Sequence, residues 1–134
     1  MELLANIDVE DLAVATDFYC RALHLTIGRR FGHSGVELLG ASSAIYLLEK
    51  PPGSLGCSAP GSARHYARHW TPVHLDFVVP DIVVACERAR VAGAIPEGPM
   101  RTQPWGHIAM FADPFGHGFC LIQFLNRGYD EIAT

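Results

Sequence analysis

The stretch Val73-His74-Leu75-Asp76-Phe77-Val78-Val79-Pro80-Asp81 decides how this chain is read. Val73, Leu75, Phe77 and Val79 alternate with His74, Asp76 and Val78. Period two puts the apolar set on one face of a strand and the mixed set on the other. The apolar face is expected to pack on a helix. Asp81 stands where an N-cap belongs, and Ile82, Ala85, Cys86 and Ala89 follow at helical spacing as far as Gly93. The same pattern occurs near the start of the chain. Ala5, Ile7 and Val9 alternate with Leu4, Asn6 and Asp8, Asp11 is the cap, and Leu12, Ala15, Phe18, Tyr19, Ala22 and Leu23 form the stripe. Laying Leu4–Leu23 on His74–Gly93 matches Val9 with Val79, Asp11 with Asp81, Ala15 with Ala85 and Ala22 with Ala92. Farther on, Ile45-Tyr46-Leu47-Leu48-Glu49 lies on Phe119-Cys120-Leu121-Ile122-Gln123.

Each helix is followed by strand-like pieces. In the first half these are Thr26–Phe31, Val36–Leu39 and Ala44–Leu48, with Gly32, Gly35 and Gly40 as turns. In the second they are Ile95–Met100, His107–Phe111 and Phe119–Phe124, with Asp113-Pro114-Phe115-Gly116 as a tight turn. The expectation is an α+β fold of two paired βαβββ modules in a single domain, 1–134. Module one covers 1–50, a linker or flap 51–71, module two 72–126 and a tail 127–134. The flap is rich in Pro, Gly and Ser, then basic and aromatic from Arg64 to Trp70.

Composition limits the function classes. The chain has 134 residues, 49% hydrophobic and 18% charged, which suits one globular domain. Its net charge of −4 gives no basic field for nucleic acid or anionic lipid. No apolar run reaches the roughly 20 residues of a membrane span, and no signal sequence is visible, so a cytoplasmic location is expected. Cys20, Cys57, Cys86 and Cys120 form no CxxC pair and are expected to be free thiols.

The paired modules, with the stretch above, Asp17-Phe18-Tyr19-Cys20-Arg21-Ala22-Leu23, and Trp105 through His117, resemble the vicinal-oxygen-chelate superfamily. That superfamily includes glyoxalase I, extradiol dioxygenases and bleomycin-resistance proteins. The resemblance implies eight strands around a cleft, often in a homodimer. It also implies metal-ligand points at Leu4, Tyr46, His74 and Cys120. Only His74 is a usual ligand there, and catalytic metal sites generally keep about three protein ligands with an open position. No metal cofactor is therefore expected. If a divalent metal is bound, His74 would act with Glu49, Glu37 or His107. Alternation puts Glu49 on the face opposite Tyr46 unless a bulge intervenes.

The expected ligand-binding cleft comprises Asn6, Tyr46, Leu48, His74, Asp76, Trp105, Cys120 and Ile122. His74 is the candidate catalytic residue, as a general base near neutral pH, against the simpler role of a hydrogen-bonded barrel histidine. Asp76, two residues on, is either its orienting partner or a solvated strand-face group. Cys120 is a soft ligand, a nucleophile or a small buried hydrophobe. Tyr46 is a ligand, a hydrogen-bond donor or a cleft filler. Trp70 and Trp105 are stacking surfaces or packing residues. His65 and His69 would share a face only in a helix, and His117 is assigned to the turn.

The leading functional expectation is binding of a small, partly hydrophobic or aromatic molecule, as in the bleomycin-resistance and glyoxalase-like branch. The alternative is a metal-dependent lyase, isomerase or dioxygenase using His74 with non-standard ligands. A metal-free enzyme using His74 as base is a third class. The expected partners are a small-molecule ligand or substrate and a second copy of the chain, with neither nucleic acid nor membrane.

Overall fold

A computed structural model describes residues 1–134. The chain divides into two compact units, Met1–Ala67 and Arg68–Thr134. In the first, β1 (Ala5–Val9) leads to α1 (Leu12–Leu23), then β2 (Thr26–Phe31), β3 (Gly35–Leu39) and β4 (Ile45–Glu49). The sheet order is β1-β4-β3-β2, with β1 parallel to β4 and the other pairs antiparallel. In the second, β5 (Leu75–Val78) leads to α2 (Ile82–Ala92), then β6 (Ile95–Pro96), β7 (Arg101–Gln103), β8 (Gly106–Ala112) and β9 (Gly118–Phe124). Its order is β5-β9-β8-β6, with β7 also on β8 and β5 parallel to β9. The α+β architecture of two related modules is thus present. No helix is long and apolar enough to cross a membrane.

Both helices start as their sequences dictate. The Asp11 carboxylate accepts from Val14 N at 2.9 Å, and Asp81 accepts from Val84 N at 3.0 Å. A second cap comes from the last strand of each module. Glu49 Oε2 accepts from Leu12 N at 2.8 Å, and Gln123 Oε1 accepts from Ile82 N at 2.9 Å. These residues match in the repeat, so the internal symmetry extends to a single hydrogen bond. The stripes bury Leu12, Ala15, Phe18, Tyr19 and Ala22 in one unit and Ile82, Ala85 and Ala89 in the other. Burial of a side chain such as Phe18 contributes about 1.5–3 kcal/mol.

Two expectations need correction, and one open alternative is closed. The strand expected over Ile95–Met100 pairs only at Ile95–Pro96, and the chain re-enters the sheet at Arg101. Pro96 and Pro99 have no N–H to give a ladder, which breaks the strand. The first strand of the second module begins at Leu75, so His74 lies just ahead of it. The segment 64–70 contains no helix, so His65 and His69 gain no shared helical face.

The segment after β4 is tied down by side chains. Arg64 Nε donates to Asp8 Oδ2 at 2.6 Å, and Tyr66 Oη donates to Lys50 O at 2.6 Å. The tail forms a 3-10 turn over Gly128–Glu131, with the Tyr129 ring 5.1 Å from Trp105 and 4.7 Å from Phe124.

Candidate functional site

Helix packing fixes which sheet face is left for chemistry. Glu49 and Gln123 reach the helices, so Tyr46 and Leu48, or Cys120 and Ile122, lie on the other face by alternation. In the first unit, register places Asn6 beside Tyr46 and Tyr46 beside Glu37. In the second, it places Asp76 beside Cys120 and Cys120 beside Met110. These are equivalent rows with very different chemistry.

The first row is closed by an internal cation. Glu37 is buried, yet Arg29 Nε donates to Glu37 Oε2 at 3.0 Å and Tyr46 Oη donates to Glu37 Oε1 at 2.9 Å. Arg29 N–H also donates to Oε2 at 3.1 Å, and Arg29 Nη2 donates to the Tyr46 hydroxyl at 3.1 Å. Gly28 leaves the room this needs, since a Cβ there would stand 2.5 Å from Glu37 Oε2. The Arg29 hydrogen bonds hold the Glu37 carboxyl down at about 2, and the carboxylate in turn pushes the Tyr46 phenol up. A carboxylate with its pKa lowered by folding adds stability above its ordinary value of 4.5, and that stability is lost as pH falls towards about 2. Urea unfolding across this range is therefore expected to show the gap between wild type and Glu37→Gln closing as the medium becomes more acid. A gap independent of pH would rule out this ion pair as its source.

The second row is open. His74 Nε2 is 3.3 Å from Asp76 Oδ1, and the ligand atoms of His74, Asp76 and Cys120 all lie within 4.8 Å of one another. His74 and Asp76 are exposed, while Cys120 is buried. Burial pushes the Cys120 thiol up to about 11, with the Asp76 charge and its hydrogen bond adding to the effect. Cys120 is therefore a neutral thiol near pH 7 and a poor nucleophile as it stands.

Beside this row lies a cavity of about 180 Å³. Trp70, Met110, Phe111 and Phe119 give it apolar walls, and Arg68, Glu97, His74 and Cys120 give polar ones. The Phe111 and Phe119 rings stack with centroids 5.7 Å apart. Arg68 Nη2 donates to Glu97 Oε2 at 2.9 Å, and this bond holds Glu97 below the usual carboxylate range. Arg68 passes close over Gly118, where a Cβ would stand 2.7 Å from Nη2.

Several sequence-derived candidates have other work. Trp105 does not line the cavity and packs on Phe124 and Tyr129. Glu49 caps α1, and Glu37 is bound to Arg29 and Tyr46. His107 pairs with Gln123 on the helix-side face, and its Nδ1 is 2.9 Å from Thr102 Oγ1. Asn6 is exposed, Leu48 half-buried and Ile122 buried. Sequence reasoning missed Arg29, Arg68, Glu97 and Met110.

The metal site implied by the superfamily can be tested on these residues. Leu4 has no ligand atom, and Tyr46 donates to Glu37. His74, Asp76 and Cys120 supply one nitrogen, one oxygen and one sulfur, a donor set that fits a borderline divalent ion such as Zn²⁺.

Comparison with known proteins agrees with this architecture. The model of the glyoxalase-like domain family matches residues 5–122. The fosfomycin resistance protein FosX from Listeria monocytogenes is similar, with TM-score 0.71, 21% identity and coverage of 99% of this chain and 98% of that one. TnmS3, an antibiotic-binding protein from Streptomyces sp. CB03234, gives TM-score 0.64 and 23% identity over 93% of this chain and 96% of that one. A glyoxalase/bleomycin resistance protein from the same Streptomyces strain gives TM-score 0.62 and 26% identity over 92% and 100%. No curated protein sequence matches the chain. The family match spans both modules, and the fold is shared along nearly the whole chain. This protein therefore belongs to the glyoxalase-like domain family of the vicinal-oxygen-chelate superfamily.

Proposed function

We propose that the protein binds a small, partly hydrophobic or aromatic molecule, one end of which enters the cavity of the second unit. The observation that carries this reading is the pairing of an aromatic and methionine wall with a few polar groups, the usual make-up of ligand pockets. At about 180 Å³ the cavity is smaller than ordinary drug-sized pockets of roughly 300–1,000 Å³, so it suits one ring system. Trp70 and Phe119 supply stacking area, and His74 supplies an orienting hydrogen bond. TnmS3 and FosX, whose names refer to antibiotics, favour an antibiotic-like ligand. The expected homodimer is part of the same reading.

A panel of flat aromatic antibiotics tests it, in a Trp105→Phe background where Trp70 is the single indole. Saturable quenching and a raised melting temperature are expected for at least one compound. Trp70→Ala should weaken that binding about fivefold to tenfold, the worth of one aromatic stacking contact. Neither quenching nor a thermal shift across the panel would sink the proposal.

A second reading, a metal-dependent lyase, isomerase or dioxygenase, draws on the His74–Asp76–Cys120 cluster. A divalent ion held there would polarise an oxygen of the bound molecule. Consumption of a compound by the metal-loaded protein, lost in His74→Ala, would favour this reading over simple binding.

A further inference from the structure

The geometry points to a thiophilic divalent-cation site formed by His74, Asp76 and Cys120 within the second unit alone. It needs no ligand from the first module, and it replaces Glu49, Glu37 and His107 by Asp76 and Cys120 as partners of His74. It goes beyond the small-molecule reading, and either can fail without the other; the metal-dependent reading rests on it, and spectra of the ion alone test the site without any turnover.

Three observations support it. The first is spacing. A tetrahedral ion with bonds of about 2.0–2.3 Å sets neighbouring donor atoms roughly 3.3–3.8 Å apart. His74 Nε2 and Asp76 Oδ1 already stand 3.3 Å apart, and all three ligand atoms fall within 4.8 Å. Asp76 and Cys120 are register partners on adjacent parallel strands, so the ladder fixes two donors before any ion arrives. A rotamer adjustment of the exposed His74 completes the approach.

The second is charge and softness. A neutral imidazole, a carboxylate and a thiolate together carry two negative charges, which balance one divalent ion. The sulfur selects zinc, cobalt or cadmium over magnesium or calcium, whose usual ligands are oxygens. As the metal–sulfur bond forms, the Cys120 S–H bond breaks and its proton leaves to solvent. Nothing is oxidised or reduced.

The third is the contrast between the two rows. In the first unit the carboxylate beside Tyr46 already has its cation, the Arg29 guanidinium. In the second, Met110 occupies the position matching Glu37, and Arg101 Nη2 is 3.0 Å from the Met110 sulfur. No arginine bond to Asp76 closes this row as Arg29 closes the other. His74 and Cys120 also line the cavity, so an ion held by them would border it.

The test is a Co²⁺ titration of the full chain, made without a metal-affinity tag and stripped with chelator. One equivalent should bind, with thiolate-to-cobalt charge-transfer absorption in the near ultraviolet and tetrahedral cobalt bands in the visible. Zn²⁺ should displace it, and Mg²⁺ should not. Cys120→Ser should abolish the charge-transfer absorption, while the exposed Cys57→Ser should leave it unchanged. Asp76→Asn, a replacement at an exposed position, should weaken binding by at least about tenfold with the far-ultraviolet circular dichroism intact. The site is overturned if cobalt shows only octahedral, sulfur-free spectra, or if Cys120→Ser and Asp76→Asn both titrate like wild type.

Discussion

Asp113→Ala is expected to destabilise the second unit by about 3–5 kcal/mol, since it removes a buried carboxylate and leaves one buried and one half-buried backbone donor without their acceptor. Asp113 is 1% exposed. Its Oδ1 accepts from Phe115 N and His117 N, both at 2.8 Å, and its Oδ2 is 2.8 Å from His117 Nδ1. One carboxylate thus organises the turn between β8 and β9, and the turn sets where β9 begins. Each orphaned buried N–H costs about 1–3 kcal/mol. Asp113→Asn retains an amide oxygen for the two backbone donors, so it should recover more than half of the loss. Urea unfolding of the two variants decides this. Equal destabilisation by Ala and Asn would show that the charge, rather than the acceptor geometry, holds the turn.

Leu121→Ala should cost about 3 kcal/mol, within the range of about 2–5 kcal/mol for truncating a buried leucine. Leu121 is fully buried and shares the helix-side face of β9 with Gln123. Its repeat counterpart Leu47 is also fully buried, on β4. Leu47→Ala is therefore expected to cost a similar amount in the first unit. The readout is a lower denaturation midpoint at unchanged slope. A loss below about 1 kcal/mol at either position would mean that the helix and sheet close over the missing side chain, contrary to a well-packed core.

The features legible in the sequence are those set by near neighbours. Asp11 and Asp81 announce their helices because an N-cap is a contact between residues three apart. Alternation along Phe119–Phe124 places Leu121 and Gln123 opposite Cys120, and the same rule puts Glu49 away from Tyr46. The family resemblance rests on the order of these local patterns. What was not legible depends on distance or irregularity. Arg29 meets Glu37 across a register shift between Ile27 and Arg30, where simple alternation fails. Arg68 meets Glu97 across 29 residues of chain. Trp105 reads as a cleft aromatic because nothing in its own segment shows that its ring packs against Tyr129. The His74–Asp76 pair was visible as an i, i+2 spacing. Its third member, Cys120, is reached from the sequence through the repeat and the family resemblance, and the pairing of β5 with β9 adds that it stands directly beside Asp76.

The bond from the last strand to the helix also acts as a ruler. Gln123 reaches Ile82 N only when β9 lies in its observed register, and Glu49 does the same for Leu12. Three residues before each stands the residue that faces away from the helix, Cys120 or Tyr46. A slip of one residue would break the helix contact and at the same time turn that side chain to the wrong face. Checking the strand at its structural end therefore proofreads its chemical end, so a misaligned cysteine cannot be hidden inside an otherwise well-formed fold.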